Sequence, residues 1–199
     1  MMRRPGGAEF APGAHVFPGG SQHAEDHRFE DPFKAAAVRE VFEELGILLA
    51  RSRRGFARAA DCDRVRWRLQ HGVGFNMALA EAGLEPAFDR LAYFANVITP
   101  IQLSRRFDTR FYIARLPAGQ EVHPQPGEVD AWLWVNPVQA ARDMGFNMVF
   151  ATRRILEEVA ADPDAGRLIA KVRRRRRIRA VTPIVRISED GKFSVVVPS

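Results

Sequence analysis

Between Val38 and Leu45 the apolar residues Val38, Val41, Phe42 and Leu45 recur at spacings of three and four, the period of a helix with one face on a core. Asp31 is a good cap, Pro32 suits the first helical position and Gly46 suits the residue just past the end, so a helix is predicted over 32–45. From Leu48 to Gly83 the texture becomes short helical patterns, with Leu49, Phe56, Val65, Leu69, Val73, Met77 and Leu79 among arginines and breaks at Gly72, Gly74 and Gly83. Leu91 to Pro100 is a strand ended by proline. Arg106 to Arg115 alternates, with Phe107, Phe111 and Ile113 on one face and Asp108, Arg110 and Tyr112 on the other, which is a half-exposed strand. A further strand is expected from Glu128 to Pro137 after a Pro-Gly turn, then a helix from Val138 to Ala161 stopped by Pro163. Thr182 to Ile187 and Phe193 to Val197 complete the pattern as two strands around a tight turn at Asp190-Gly191.

The polar side of the first helix carries the chemistry. Glu40, Glu43 and Glu44 share one face within a single turn, where like charges destabilise a helix by a few tenths of a kcal/mol per pair. Arg39, four residues before Glu43, offsets part of that repulsion as one charge against three. A bare Glu-x-x-Glu-Glu is ordinarily a solvated acidic face. Clustered carboxylates also suit a hard divalent cation that keeps some of its waters and bridges protein to phosphate.

Context decides between the two. Phe17-Pro18-Gly19-Gly20, followed after a polar loop by Arg39-Glu40-Val41-Phe42-Glu43-Glu44-Leu45-Gly46-Ile47, resembles the box that defines the Nudix hydrolases. Every fixed position of its second half is matched. The interval from Gly20 to Arg39 is longer than the family's, and the glutamate usually found inside it has only Glu30 or Asp31 as a counterpart, so a longer loop over the site is expected.

The resemblance implies an α/β fold of the Nudix type, an α/β/α sandwich with a mixed sheet. It implies a single domain over 1–199, with a helical insert at about 50–88 and a basic run plus hairpin at about 167–199. Met1 and Met2 look like the end of a strand, so the family's first strand is expected to be missing, through a start inside the true reading frame or through loss. The insert, and the Thr99-Pro100 then Arg106-Phe107-Asp108-Thr109 sequence, resemble the coenzyme A diphosphatase branch with long inserts, the peroxisomal type and its bacterial relatives. Gly13-x-x-x-Phe17-Pro18-Gly19-Gly20 fits that branch's coenzyme A motif, although Glu9 stands where the motif asks for arginine.

The implied activity is hydrolysis of a nucleoside diphosphate derivative, with coenzyme A or acyl-coenzyme A split into a phosphopantetheine and adenosine 3',5'-bisphosphate. The implied cofactor is Mg2+ or Mn2+, with Glu40, Glu43 and Glu44 as ligands, Glu43 and Glu44 central to catalysis and Arg39 orienting them. Gly19 and Gly20 let the loop pass close to the substrate. Arg106 and Arg110 are candidate phosphate ligands, against an ordinary pairing with Asp108. Glu128 is a secondary candidate for metal or water positioning. Two alternatives stay open: a Nudix hydrolase for ADP-ribose or another sugar nucleotide, and a catalytically silent Nudix-like module holding a nucleotide or RNA.

Composition narrows these choices. A hydrophobic fraction of 46% in 199 residues supports one folded domain, and no apolar run approaches the roughly 20 residues a membrane helix needs. Neither that nor the N-terminus suggests a membrane or export route, so cytoplasmic residence is expected. Cys62 is the only cysteine, which excludes an internal disulfide and a cysteine zinc site and leaves an inert thiol in a helical segment. The formal net charge of +6 favours polyanionic partners, and phosphorylated metabolites satisfy it as well as nucleic acid. The most basic stretch, Lys171 to Arg179, is a solvated face or a polyanion site; no aromatics interleave with its arginines, which argues against single-stranded nucleic acid. His15, His23 and His27 surround the box in a segment with no apolar periodicity, and are expected to be exposed rather than to hold zinc. Trp67 and Phe75 are core aromatics first and candidate contacts for an acyl arm second.

Overall fold

The computed structural model describes residues 1–162, 164–187 and 193–197. In chain order they form β1 (Met2–Arg3), β2 (His15–Val16), α1 (Pro32–Leu45), β3 (Ala50–Ser52), β4 (Gly55–Phe56), α2 (Ala59–Gln70), α3 (Phe75–Glu81) and β5 (Glu85–Pro86). There follow β6 (Ala92–Ile98), β7 (Asp108–Ile113), β8 (Ala131–Trp132), α4 (Pro137–Arg142), α5 (Phe150–Ala160) and α6 (Ala165–Arg173). The last elements are β9 (Ala180–Val181), β10 (Ile184–Ile187) and β11 (Phe193–Val196). Two compact units result: one of Met1–Leu91, Ala114–Asn136 and Met144–Val149, the other of Ala92–Ile113, Pro137–Asp143 and Phe150–Ser199.

The first unit is arranged around α1. The Asp31 side chain accepts from the Lys34 N–H at 3.1 Å, Pro32 opens the helix where its missing N–H costs nothing, and Gly46 closes it in the left-handed region at φ 71°. Val38, Phe42 and Leu45 are buried, and the half-buried Val41 packs on a cluster of Met2, Leu45, Ile47 and Val129. Phe42 also meets Phe75 of α3, ring centres 5.8 Å apart. The last carbonyls of α1 do not go unpaired: Glu44 O accepts from Gln125 N–H at 2.9 Å and Leu45 O from His123 N–H at 2.8 Å. The returning chain is thereby fastened to the helix end. β1 pairs antiparallel with β2 on one side (Met2 opposite Val16) and with β8 on the other (Met2 opposite Trp132).

The same unit departs from the sequence pattern in several places. Residues 50–56, expected to be helical, form the hairpin β3–β4, with β5 pairing on the other edge of β3. The physical reason is a buried amide. Gln120 accepts from Leu48 N–H at 2.8 Å and donates to the carbonyls of Leu48 (3.0 Å) and Ala57 (2.8 Å), so it satisfies as a side chain what a further strand would satisfy as backbone. The strand expected over 128–137 is reduced to Ala131–Trp132, because Glu128 sits in a turn whose Glu128 and Val129 N–H groups both point at Gln125 O. The polar loop after the Gly-Gly pair contains a short 3-10 helix, Ala24–Arg28. Phe75 is core, as expected; Trp67 is 52% exposed and stacks on His71 instead. Cys62 is buried in α2, and burial pushes its thiol up to about 11, so it is inert toward ionisation.

In the second unit β6 is the central strand, antiparallel to β7 and parallel to β9. The Leu91–Pro100 and Arg106–Arg115 expectations thus appear as a pair, with a bulge between Tyr93 and Ala95. The helix expected from Val138 to Ala161 is two, α4 and α5, separated by a stretch that includes Gly145. α6 packs on β6 through Leu168 and Val172, so the basic run begins inside a helix and leaves it at Arg174. β10 and β11 form the expected hairpin, Ile184 opposite Val196. Its Asp190-Gly191 turn and the helix stop at Pro163 lie outside the described residues.

Candidate active site

The site is built on the polar, half-buried side of α1 and the loop that faces it. Arg39 is fully buried, an unusual place for a guanidinium, and all five of its N–H donors are used. Nη1 donates to Glu40 Oε1 and to Glu43 Oε2, each at 2.8 Å. Nη2 donates to the Ser21 carbonyl at 2.8 Å and to Asp26 Oδ2 at 3.0 Å, and Nε donates to Asp26 Oδ1 at 3.3 Å. Burial alone would lower its proton affinity, but Asp26, Glu40 and Glu43 together hold it above the ordinary arginine value. Arg39 is therefore a permanent cation that locks two glutamates to one nitrogen. Their bound oxygens lie no further apart than twice 2.8 Å, and Arg39 leaves the second oxygen of each to other partners.

Glu44 reaches the same region from the next position. Its Oε2 accepts the Gly19 N–H at 2.8 Å, so the Gly-Gly loop is stitched to the helix. Gly19 sits at φ 153°, a backbone that side-chain-bearing residues rarely adopt. Gly20 is required for a different reason: a Cβ there would collide with both oxygens of the Glu40 carboxylate. Burial pushes Glu44 up to about 8 against the opposing Gly19 hydrogen bond, and the charges of Glu40 and Glu128 add to the rise. Glu43 is also raised, by burial first, with Arg39 opposing. Two further carboxylates, Glu40 and Glu128, thus act on Glu44.

This arrangement suits a hard cation by its chemistry. The donors are carboxylates, two are fixed by Arg39, and burial first, with the charges of Glu40 and Glu128 after it, makes a negative charge on Glu44 costly without a positive partner. Among the described residues no group of three His, Cys, Asp or Glu side chains is gathered closely enough to hold a metal ion by itself.

The other sequence candidates fall as follows. Glu128 is brought to Glu44 because its loop hangs on the Glu44 carbonyl. Arg106, in the second unit, is exposed and donates Nε to the Thr99 carbonyl at 3.3 Å; Arg110 lies with its guanidinium 5.9 Å from the Tyr93 ring centre. Neither position tests a phosphate role. His23 and His27 are exposed as expected, whereas His15 is half-buried, edge-on to Phe146 at 4.8 Å, because β2 carries it into the sheet. Asp31 is spent as the helix cap. Asp26, which the sequence pattern passed over, is the acid that secures Arg39; it lies in a segment with no periodicity, and only the need to satisfy five buried donors would have pointed to it.

The family model of the NUDT19 Nudix domain matches residues 30–152, well over half of the chain. The chain belongs to the Nudix hydrolase family. This Nudix chain is 29% identical over 137 residues to a protein named putative nudix hydrolase 7 of Caenorhabditis elegans, covering 69% of the chain and 46% of that protein. It is 33% identical over 125 residues to the human acyl-coenzyme A diphosphatase NUDT19, covering 54% of the chain and 32% of that protein. The Xenopus laevis protein of the same name is 30% identical, with 55% and 33% covered. The chain thus spans less than half the length of these curated relatives. A solved structure titled as a Nudix hydrolase from Alicyclobacillus acidocaldarius superposes with a TM-score of 0.71 at 25% identity, covering 85% of this chain and 86% of that one. The α/β fold of the family is the fold of this protein. Among the described residues no helix is long and apolar enough to cross a membrane.

Proposed function

We propose that this Nudix protein hydrolyses the diphosphate of coenzyme A or an acyl-coenzyme A, giving a phosphopantetheine and adenosine 3',5'-bisphosphate. The observation that carries the reading is the concentration of Glu40, Glu43, Glu44 and Glu128 around one end of α1, with Arg39 fixing two of them. The names of two relatives and the Gly13-x-x-x-Phe17-Pro18-Gly19-Gly20 stretch support the choice of substrate.

In this reading Glu40, Glu43 and Glu44 would hold Mg2+ or Mn2+. When bound, such an ion neutralises the diphosphate and lowers the pKa of a coordinated water. The chain's own groups do the rest. Arg39 keeps Glu40 and Glu43 in one orientation, so their charge is in place before substrate arrives. The Gly19 N–H fixes the rotamer of Glu44. Either Glu44 or a loop acid would assist the attacking water, and Glu128, whose charge acts on Glu44, is the loop acid in reach. Gly20 lets the loop backbone pass against the Glu40 carboxylate, where a Cβ would collide with it. Arg106 and Arg110 stay in the proposal as phosphate-binding side chains.

The deciding experiment is mass-spectrometric product analysis after incubation with coenzyme A in Mg2+, with dephospho-coenzyme A and ADP-ribose in parallel. Adenosine 3',5'-bisphosphate as the main product, absent from Glu43→Gln and Glu44→Gln variants, is the expected result. Faster turnover of ADP-ribose would move the assignment to sugar nucleotides, and no turnover of any of the three would remove it.

A further inference from the structure

The arginines after α6 are all exposed, but they do not share the same surroundings. Arg175, Arg177 and Arg179 line one cavity of about 260 Å³ in the second unit, whereas Arg174 and Arg176 do not. The segment has left the helix by Arg175, and Ile178, between Arg177 and Arg179, lines the cavity with them. The cavity's other walls include Phe94 to Val97 of β6 and Arg154, Ile155 and Glu158 of α5.

Charge in this cavity is unbalanced. Glu158 is the one carboxylate in the lining, and Arg154 lies 2.9 Å from it, four residues earlier on α5. Three arginines then face the cavity without a lining acid to match them. Arg175 is braced, with Nη1 donating to the Phe94 carbonyl at 3.0 Å and the guanidinium 5.4 Å from the Phe94 ring centre. A guanidinium held in place loses less freedom on taking up a phosphate. Asn96 adds a second, independent sign: its buried side-chain oxygen has no hydrogen-bond partner among the described residues, and turning the amide over presents an NH2 donor instead.

We infer that this cavity is a binding site for a compact, multiply charged phosphate, held by Arg175, Arg177 and Arg179. The shape argues against a polynucleotide: the volume falls below the roughly 300–1,000 Å³ of ordinary ligand pockets, and the Phe94 ring is covered by Arg175 and cannot stack on a base. The site uses no residue of the carboxylate cluster, so it stands or falls apart from the hydrolase reading.

The test is calorimetric titration of the full chain with inorganic pyrophosphate in a chelator-containing, metal-free buffer at low salt. Saturable one-to-one binding is expected, weakened about tenfold or more in Arg177→Gln/Arg179→Gln, since each charged hydrogen bond lost has an effect of that order. Arg174→Gln/Arg176→Gln removes the same charge from positions off the cavity and should cost less than about twofold. Arg177→Lys/Arg179→Lys, which keeps charge and disturbs folding least, should fall between. Equal losses in the two Gln pairs, no saturable binding to the wild type, or tighter binding of single-stranded RNA with equal loss in both pairs would each overturn the proposal.

Discussion

Arg39 and Asp26 make a two-pronged ion pair, Nη2 to Oδ2 at 3.0 Å and Nε to Oδ1 at 3.3 Å, with both side chains at most 1% exposed. Asp26 also accepts the His23 N–H at 2.7 Å, so one carboxylate holds the 3-10 helix and the arginine at once. Asp26→Ala leaves a buried guanidinium with two of its donors unmatched. Breaking such a pair from one side costs about 3–5 kcal/mol, to be read from urea midpoints. Arg39→Lys should not rescue function, since a point-like ammonium cannot span Asp26, Glu40, Glu43 and the Ser21 carbonyl. A loss below about 1 kcal/mol in Asp26→Ala would mean that the pair does not organise the site.

Gly20→Ala is expected to damage activity far more than stability. The added methyl meets the Glu40 carboxylate, the far end of a flexible side chain, so the fold can yield by moving that carboxylate. Movement breaks the alignment with Arg39, and misplacing a catalytic group by about 1 Å can cost on the order of a hundredfold. Turnover should fall at least about tenfold while the thermal midpoint shifts little. An unchanged rate would show that the position of Glu40 is not critical.

Local rules made α1 legible. Cap, proline, apolar stripe and closing glycine act within a few residues of one another, so Asp31, Pro32, Phe42 and Gly46 announce the element from sequence alone. The Arg39–Glu43 contact was legible too, because helix geometry puts residues four apart side by side. Asp26 was not: its pairing spans a loop without periodicity and depends on where the chain folds back. Residues 50–56 were misread as helical for a related reason, since what makes them a hairpin is Gln120, far along the chain. The basic run gave no sign of which arginines line the cavity, because a row of arginines has no apolar residue to mark an inner side, apart from Ile178.

Gln120→Ala probes that long-range control. It deletes an acceptor for Leu48 N–H and donors for the Leu48 and Ala57 carbonyls in a buried setting. Unsatisfied buried groups cost about 1–3 kcal/mol each, moderated here where water can enter, so a loss of about 2–4 kcal/mol is expected. Gln120→Glu should also destabilise, because a carboxylate cannot donate to the two carbonyls. Hydrogen exchange should accelerate locally at Leu48 and Ala57. Stability within about 0.5 kcal/mol of wild type would contradict the staple.

Glu44 gives the stability of the metal-free protein a defined pH dependence. Burial, with Glu40 and Glu128 adding to it and Gly19 opposing, raises its value from 4.5 in the reference state to about 8 in the fold. Between those values the folded chain binds more protons than the unfolded one, so the contribution is complete below about 4.5 and is lost as pH rises through about 8. The size is on the order of a few kcal/mol at most, since the group is coupled to its acidic neighbours. His15, lowered by burial, acts with the opposite sign, so wild type is best read against Glu44→Gln, in which only the Glu44 contribution is removed. Urea midpoints in chelator should decline from pH 5 to pH 9 more steeply for wild type than for Glu44→Gln, leaving the variant the more stable at pH 9. Added Mg2+ should restore the wild type at high pH and do little for the variant, because the ion replaces the proton as the positive partner of the cluster. Parallel pH curves for the two proteins would place the charge concentration somewhere other than Glu44.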